Sequence, residues 1–171
     1  MAHLVSGSVE LTPVADGRFP YENVVAGGVV VASVGRMWWA SVFFGRGQKI
    51  LLPDDRRWRL TSRAWRRYVC PAVITDDGLR VATSAPGTKN YFVTTRDRGL
   101  LLNPAEAPGG RARRWQLVDH ETEVASLTRR PFTADVYEPI PLGALLLARA
   151  LMAYGILGEG DLLPTAASWS T

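Results

Sequence analysis

The side chains best equipped for chemistry in this chain are arginines. The stretch Arg56-Arg57-Trp58-Arg59-Leu60-Thr61-Ser62-Arg63-Ala64-Trp65-Arg66-Arg67-Tyr68 interleaves six guanidinium groups with two indoles and a phenol. A guanidinium offers a planar donor fork that matches phosphate or carboxylate, and an aromatic face can stack on a base or pack beside the cation. In a strand, Trp58 and Leu60 share one face while Arg57 and Arg59 point the other way. Three readings follow: a barrel strand with core aromatics and a solvated basic face, a site for an anionic membrane or lipid headgroup, or a nucleic-acid surface. The candidate anion-binding residues are Arg57, Arg59, Arg63, Arg66 and Arg67.

Other reactive types are sparse, with two histidines and one cysteine in the chain. His120, within Asp119-His-Glu-Thr-Glu123, reads as an exposed turn residue. Cys70, inside a strand and before Pro71, reads as a small buried hydrophobe rather than a thiolate. Asp54-Asp55 and Asp76-Asp77 occupy turns, where adjacent carboxylates do not face one bond, so they read as turn formers. Asp119, Glu121 and Glu123 amount at most to a weak cation site. Gly45-Arg-Gly47 lacks the third glycine and following helix of a dinucleotide loop, and no segment matches the Walker pattern. The expectation is a non-enzymatic protein with no cofactor and no metal site.

The composition fits that expectation. With 171 residues, 47% apolar and 21% charged, one domain with a sizeable core is expected over 1–171. The net charge is +4, and of the 20 basic residues only Lys49 and Lys89 are lysines. GC-rich codon usage accounts for that bias more readily than selection for bidentate contacts does. A single cysteine allows no intrachain disulfide, and the first residues lack the basic and apolar regions of a secretory signal. A cytoplasmic protein is expected, peripheral at the membrane if the headgroup reading holds.

The elements that must position the arginines read as β-structure. Residues 1–23 form a lead-in with one short strand around Val9 to Val14. Strand signals then fill 24–138: Val24 to Val34, an aromatic run Met37 to Phe44, Gln48 to Leu52 closed by Pro53-Asp54-Asp55, and the arginine-rich segment. Val69 to Thr75 and Leu79 to Thr83 flank Asp76-Asp77-Gly78, a hairpin signal. Asn90 to Thr95, Leu100 to Leu102, Trp115 to Val118, Val124 to Thr128 and Phe132 to Tyr137 follow. The last element is a helix over 141–157, with Pro141 at its first position. Its leucines, Met152 and Tyr154 fall on every face, so it must be buried or lie in a membrane. The run is too short for a span and holds Arg149 near its middle, which favours a core helix whose arginine reaches a barrel mouth or a carboxylate. Residues 158–171 read as a loose tail in which Leu162, Leu163 and Trp169 close one end.

The order of these elements resembles the tubby C-terminal-like superfamily, which includes LURP-one-related proteins and phospholipid scramblases. The resemblance spans roughly Val24 to Leu157. It is carried by the strand, acidic turn and strand of Trp115 to Leu127 and by the terminal helix. It implies an antiparallel β-barrel of about 10–12 strands enclosing a hydrophobic C-terminal helix, and a non-enzymatic role at anionic lipid headgroups. The scramblase calcium-binding segment is not recognisable here, so lipid translocation is not implied. The resulting expectation is a binding module for an anionic ligand such as a membrane headgroup. The alternatives are a protein-interaction scaffold and, less favoured by the pattern, a nucleic-acid binder.

Overall fold

The computed structural model describes residues 3–14, 21–35, 48–65, 68–87, 90–105 and 114–153, without the side chains of 62–69. Twelve strands run in chain order: β1 Leu4–Val14, β2 Tyr21–Ala26, β3 Val29–Gly35, β4 Gln48–Leu51, β5 Arg57–Trp65, β6 Tyr68–Thr75, β7 Arg80–Pro86, β8 Tyr91–Thr95, β9 Gly99–Pro104, β10 Arg114–Asp119, β11 Thr122–Thr128 and β12 Thr133–Pro141. Each pairs antiparallel with its neighbours, and β1 pairs with both β2 and β12, so the sheet closes into a barrel. Closure pairs each strand on both sides, so the barrel presents no open sheet edge.

The closing strand departs from the expected short lead-in. β1 has 11 residues, and its first half pairs with the far end of the chain, Val5 opposite Ile140 and Ser8 opposite Asp135. Such a partner leaves no local signal. The β-branched run from Val24 to Val34 is likewise two strands. Gly27 and Gly28 both take positive φ, and the Gly27 amide donates to the Ser8 carbonyl at 3.1 Å, so the chain folds back there. The aromatic run 37–44 lies outside the described residues. The Asp76-Asp77-Gly78 turn forms as expected, with Gly78 at positive φ and its amide donating to the Thr75 carbonyl.

The helix α1, Leu142–Ala153, begins at the residue after β12 with no connecting loop. Pro141 is therefore the last strand residue rather than the first helical one. The Leu142 amide, one of the unpartnered donors of a helix start, donates to the His3 carbonyl at 2.7 Å. At the other end of the barrel Arg129, in the β11–β12 turn, donates to the Ala153 carbonyl at 3.2 Å. The expected continuation to Leu157 and the tail 158–171 lie outside the described residues.

Burial of α1 is almost complete on every face: Leu142, Gly143, Ala144, Leu145, Leu146, Leu147, Ala148, Ala150, Leu151 and Met152 are all buried. It touches β6, β7, β8 and β12. Its side chains join Val9, Val24, Val34, Ile50, Leu60, Val93, Leu102, Trp115, Leu117 and Leu127 of the strands in one apolar cluster. At about 1.5–3 kcal/mol for each large aliphatic side chain taken from water, this cluster is the main source of stability. Gly143 admits the closest approach to the sheet, since a Cβ there would lie 2.7 Å from Val81 Cγ1 on β7.

Candidate anion-docking surface

Strand alternation sorts β5 as its sequence predicts. Trp58 and Leu60 are buried, Arg57 is exposed and Arg59 is half-buried. Pairing then supplies neighbours that the strand alone does not show. Lys49 on β4 stands directly opposite Arg59, Arg59 opposite Ile74 on β6, and Ile74 opposite Arg80 on β7. These positions form one row across four strands on the outer face. Arg57 lies two residues before Arg59, about 7 Å along the strand.

Charge on this face is one-sided. Strands β4 to β7 contribute Lys49, Arg57, Arg59 and Arg80 and, among the described side chains, no carboxylate. The nearest acids are in turns, and Asp76 Oδ1 lies 3.7 Å from Arg59 Nη2. Among the described residues, Lys49, Arg57 and Arg80 have no carboxylate partner. Like charges directly opposite across a strand pair are destabilising, and Lys49 stands opposite Arg59 in this way.

Of the five expected residues, the side chains of Arg57 and Arg59 are among those described. Arg57 and Arg59 stand together; Arg63 follows in the same alternation, opposite Cys70, about 13 Å beyond Arg59. Arg66 and Arg67 lie outside the described residues. Lys49 and Arg80 were missed by sequence reasoning because they come from other strands. The signal that could have found Lys49 is the tight turn after Leu52, which fixes the β4–β5 register.

Arg56, at the head of the same segment, is already engaged. Its guanidinium is 2.6 Å from Asp54 Oδ2 and donates to His3 Nε2. This pairing holds the Asp54 carboxyl below the usual carboxylate range. His3 in turn meets the buried Trp58 edge-on, with ring centroids 5.6 Å apart. Trp58 therefore packs inward and is not a stacking platform beside the arginines, which removes one element of the nucleic-acid reading.

The remaining candidates occupy structural positions. His120 is 97% exposed in its turn, at positive φ. Asp119 is held by Arg98 Nε and Nη2 at 2.8 and 2.6 Å, and Glu123 accepts from Gln116 Nε2 at 2.6 Å. Asp119 and Glu123 thus have protein partners, and Glu121 is exposed. Cys70 is only partly buried, contrary to expectation, because it lies on the outer face opposite Arg63; burial still pushes its thiol up. Among the described residues no three His, Cys, Asp or Glu side chains come together to hold a metal ion, and no helix is long and apolar enough to cross a membrane. The chain matches no family model, no curated protein and no solved structure.

Proposed function

We propose that the protein is a non-enzymatic binding module whose outer β4–β7 face docks an anionic surface, with a lipid headgroup layer as the favoured ligand. The observation that carries this reading is the cross-strand cation pair Lys49 and Arg59, flanked by Arg57 and Arg80; of these four, Arg59 alone meets a carboxylate among the described residues, Asp76 at 3.7 Å. A row spread over four strands of a convex wall suits an extended array of charges better than one small anion. Each such base near an anionic bilayer contributes about 1 kcal/mol.

The same reading places α1 along the barrel lumen, as in the tubby-like arrangement. Its support is that the helix starts beside His3 at one end, ends beside Arg129 at the other, and is buried all round. A lumen filled with leucine leaves the outer wall as the binding surface.

The test is binding to phosphatidylcholine vesicles with and without phosphatidylserine, and to single-stranded oligonucleotides, at two salt concentrations. Binding to the anionic vesicles that falls at high salt, and at least tenfold in Arg57→Glu/Arg59→Glu and in Lys49→Glu, is expected. Equal binding by these variants, or preference for oligonucleotides, would overturn the proposal.

A further inference from the structure

The wall on the other side of β3 has the opposite character. Strands β12, β1, β2 and β3 carry no basic residue; their acids are Glu10, Glu22, Asp135 and Glu138. Glu22 is taken by Arg149. Pairing brings Glu10 and Asp135 together beside apolar side chains. Glu10 stands opposite Val25, and Val25 opposite Val30, while Asp135 stands opposite Ser8, two residues along β1 from Glu10. Val30 is 42% exposed, Tyr137 56% and Leu4 59%.

Tyr137 is presented by a bulge. Between Val5 opposite Ile140 and Gly7 opposite Val136, the three residues Tyr137, Glu138 and Pro139 face the single residue Ser6, and all three are exposed. Arg98, from the β8–β9 turn, pins this bulge by donating to the Pro139 carbonyl at 2.7 Å, with Glu138 3.5 Å away. A bulge fixed from outside its own strand pair re-aims side chains at little further ordering cost when a partner arrives.

We infer that the β12–β3 wall is a docking surface for a cationic amphipathic polypeptide, with Tyr137, Val30 and Leu4 receiving its apolar side chains and Glu10 and Asp135 its bases. Charge complementarity selects this occupant. Glu10 and Asp135 have no cationic partner among the described residues, so on a protein of net charge +4 they attract bases locally, and an exposed tyrosine is a common anchor at protein interfaces. This surface is separate from the basic wall, so the two can be occupied independently.

The experiment is fluorescence anisotropy with a labelled amphipathic Lys/Leu peptide, beside a Glu/Leu peptide of the same pattern and oligolysine. The Lys/Leu peptide is expected to bind at least tenfold tighter than either control. Tyr137→Ser/Val30→Ser and Glu10→Gln/Asp135→Asn should each weaken it at least tenfold without lowering the melting temperature appreciably, whereas Arg57→Ala/Arg59→Ala should not weaken it. Equal affinity for oligolysine would reduce the surface to charge alone and overturn the inference. Undiminished binding by the two wall variants would do the same. Sedimentation is the third arm: a concentration-dependent dimer that Tyr137→Ser/Val30→Ser dissolves would make a second copy the occupant and overturn the assignment.

Discussion

Arg149, on the third turn of α1, lies with its Nη2 2.5 Å from a carboxylate oxygen of Glu22, near the start of β2. Glu22 sits on the same side of β2 as the fully buried Val24, and Phe132 approaches the guanidinium at 6.0 Å from its ring centroid. Burial pulls the Arg149 pKa down and the carboxylate opposes it. The guanidinium stays charged because arginine does not deprotonate in proteins, so its counter-charge is needed in place.

Removing one member of this pair is therefore costly. Glu22→Gln leaves a largely buried cation with a neutral partner and is expected to lower stability by about 3 kcal/mol. Glu22→Leu/Arg149→Leu removes both desolvation costs and should unfold at a denaturant concentration equal to or above the parent's. Urea unfolding of the three proteins checks this, and a double variant less stable than Glu22→Gln would contradict it.

Gly143 predicts a steric result. Alanine is intrinsically favoured over glycine in a helix by about 1 kcal/mol. Here its Cβ would meet Val81 Cγ1 at 2.7 Å, and valine is stiff about χ1. Gly143→Ala is thus expected to destabilise by about 1–2 kcal/mol, as overpacking does. Val81→Ala in the same chain should recover part of that loss, giving a coupling energy that a double-mutant cycle reads directly.

The Cys70 thiol is pushed up by burial, so its thiolate is disfavoured in the folded protein. The unfolded chain ionises at the ordinary value and the folded chain higher. Stability from this group is thus full below the ordinary thiol pKa and is lost as pH rises through it toward the folded value. Compared with Cys70→Ala, the parent should lose stability progressively above about pH 9. Alkylation of the folded protein at pH 8 should be slower than that of a free thiol, and an equal rate would contradict the burial.

The sequence made legible what local periodicity encodes. Trp58 and Leu60 against Arg57 and Arg59, the Asp76-Asp77-Gly78 turn and the all-apolar helix around Leu145 and Leu151 all appear as their patterns require. For Arg149 the sequence leaves a barrel mouth or a carboxylate open, and the structure supplies the carboxylate of Glu22. What stayed hidden depends on pairing at long sequence distance. Leu4–Val14 shows its length only because β12 lies beside it, and Lys49 and Arg80 join Arg59 only through strand register. Pro141 misled because a proline before an apolar run reads as a helix start, while here the strand continues to it.

Arg98 carries the last prediction. Its three donor contacts, two to Asp119 and one to the Pro139 carbonyl, tie the β8–β9 turn to the end of β10 and to the β12 bulge. Asp119 is more buried than its neighbours in the β10–β11 turn, so Arg98→Met would strand a carboxylate and a carbonyl together. A charged hydrogen bond lost with its acceptor left in place costs about 1.5–3 kcal/mol. The diagnostic readout is amide hydrogen exchange. Faster exchange in Arg98→Met confined to the β8–β9 turn and the Tyr137 and Glu138 amides, with Val9 and Val93 protected as before, would show that Arg98 fixes the bulge locally. Uniformly faster exchange across the barrel would show instead that Arg98 contributes only global stability, and the presentation of Tyr137 would then rest on the backbone of β12 alone.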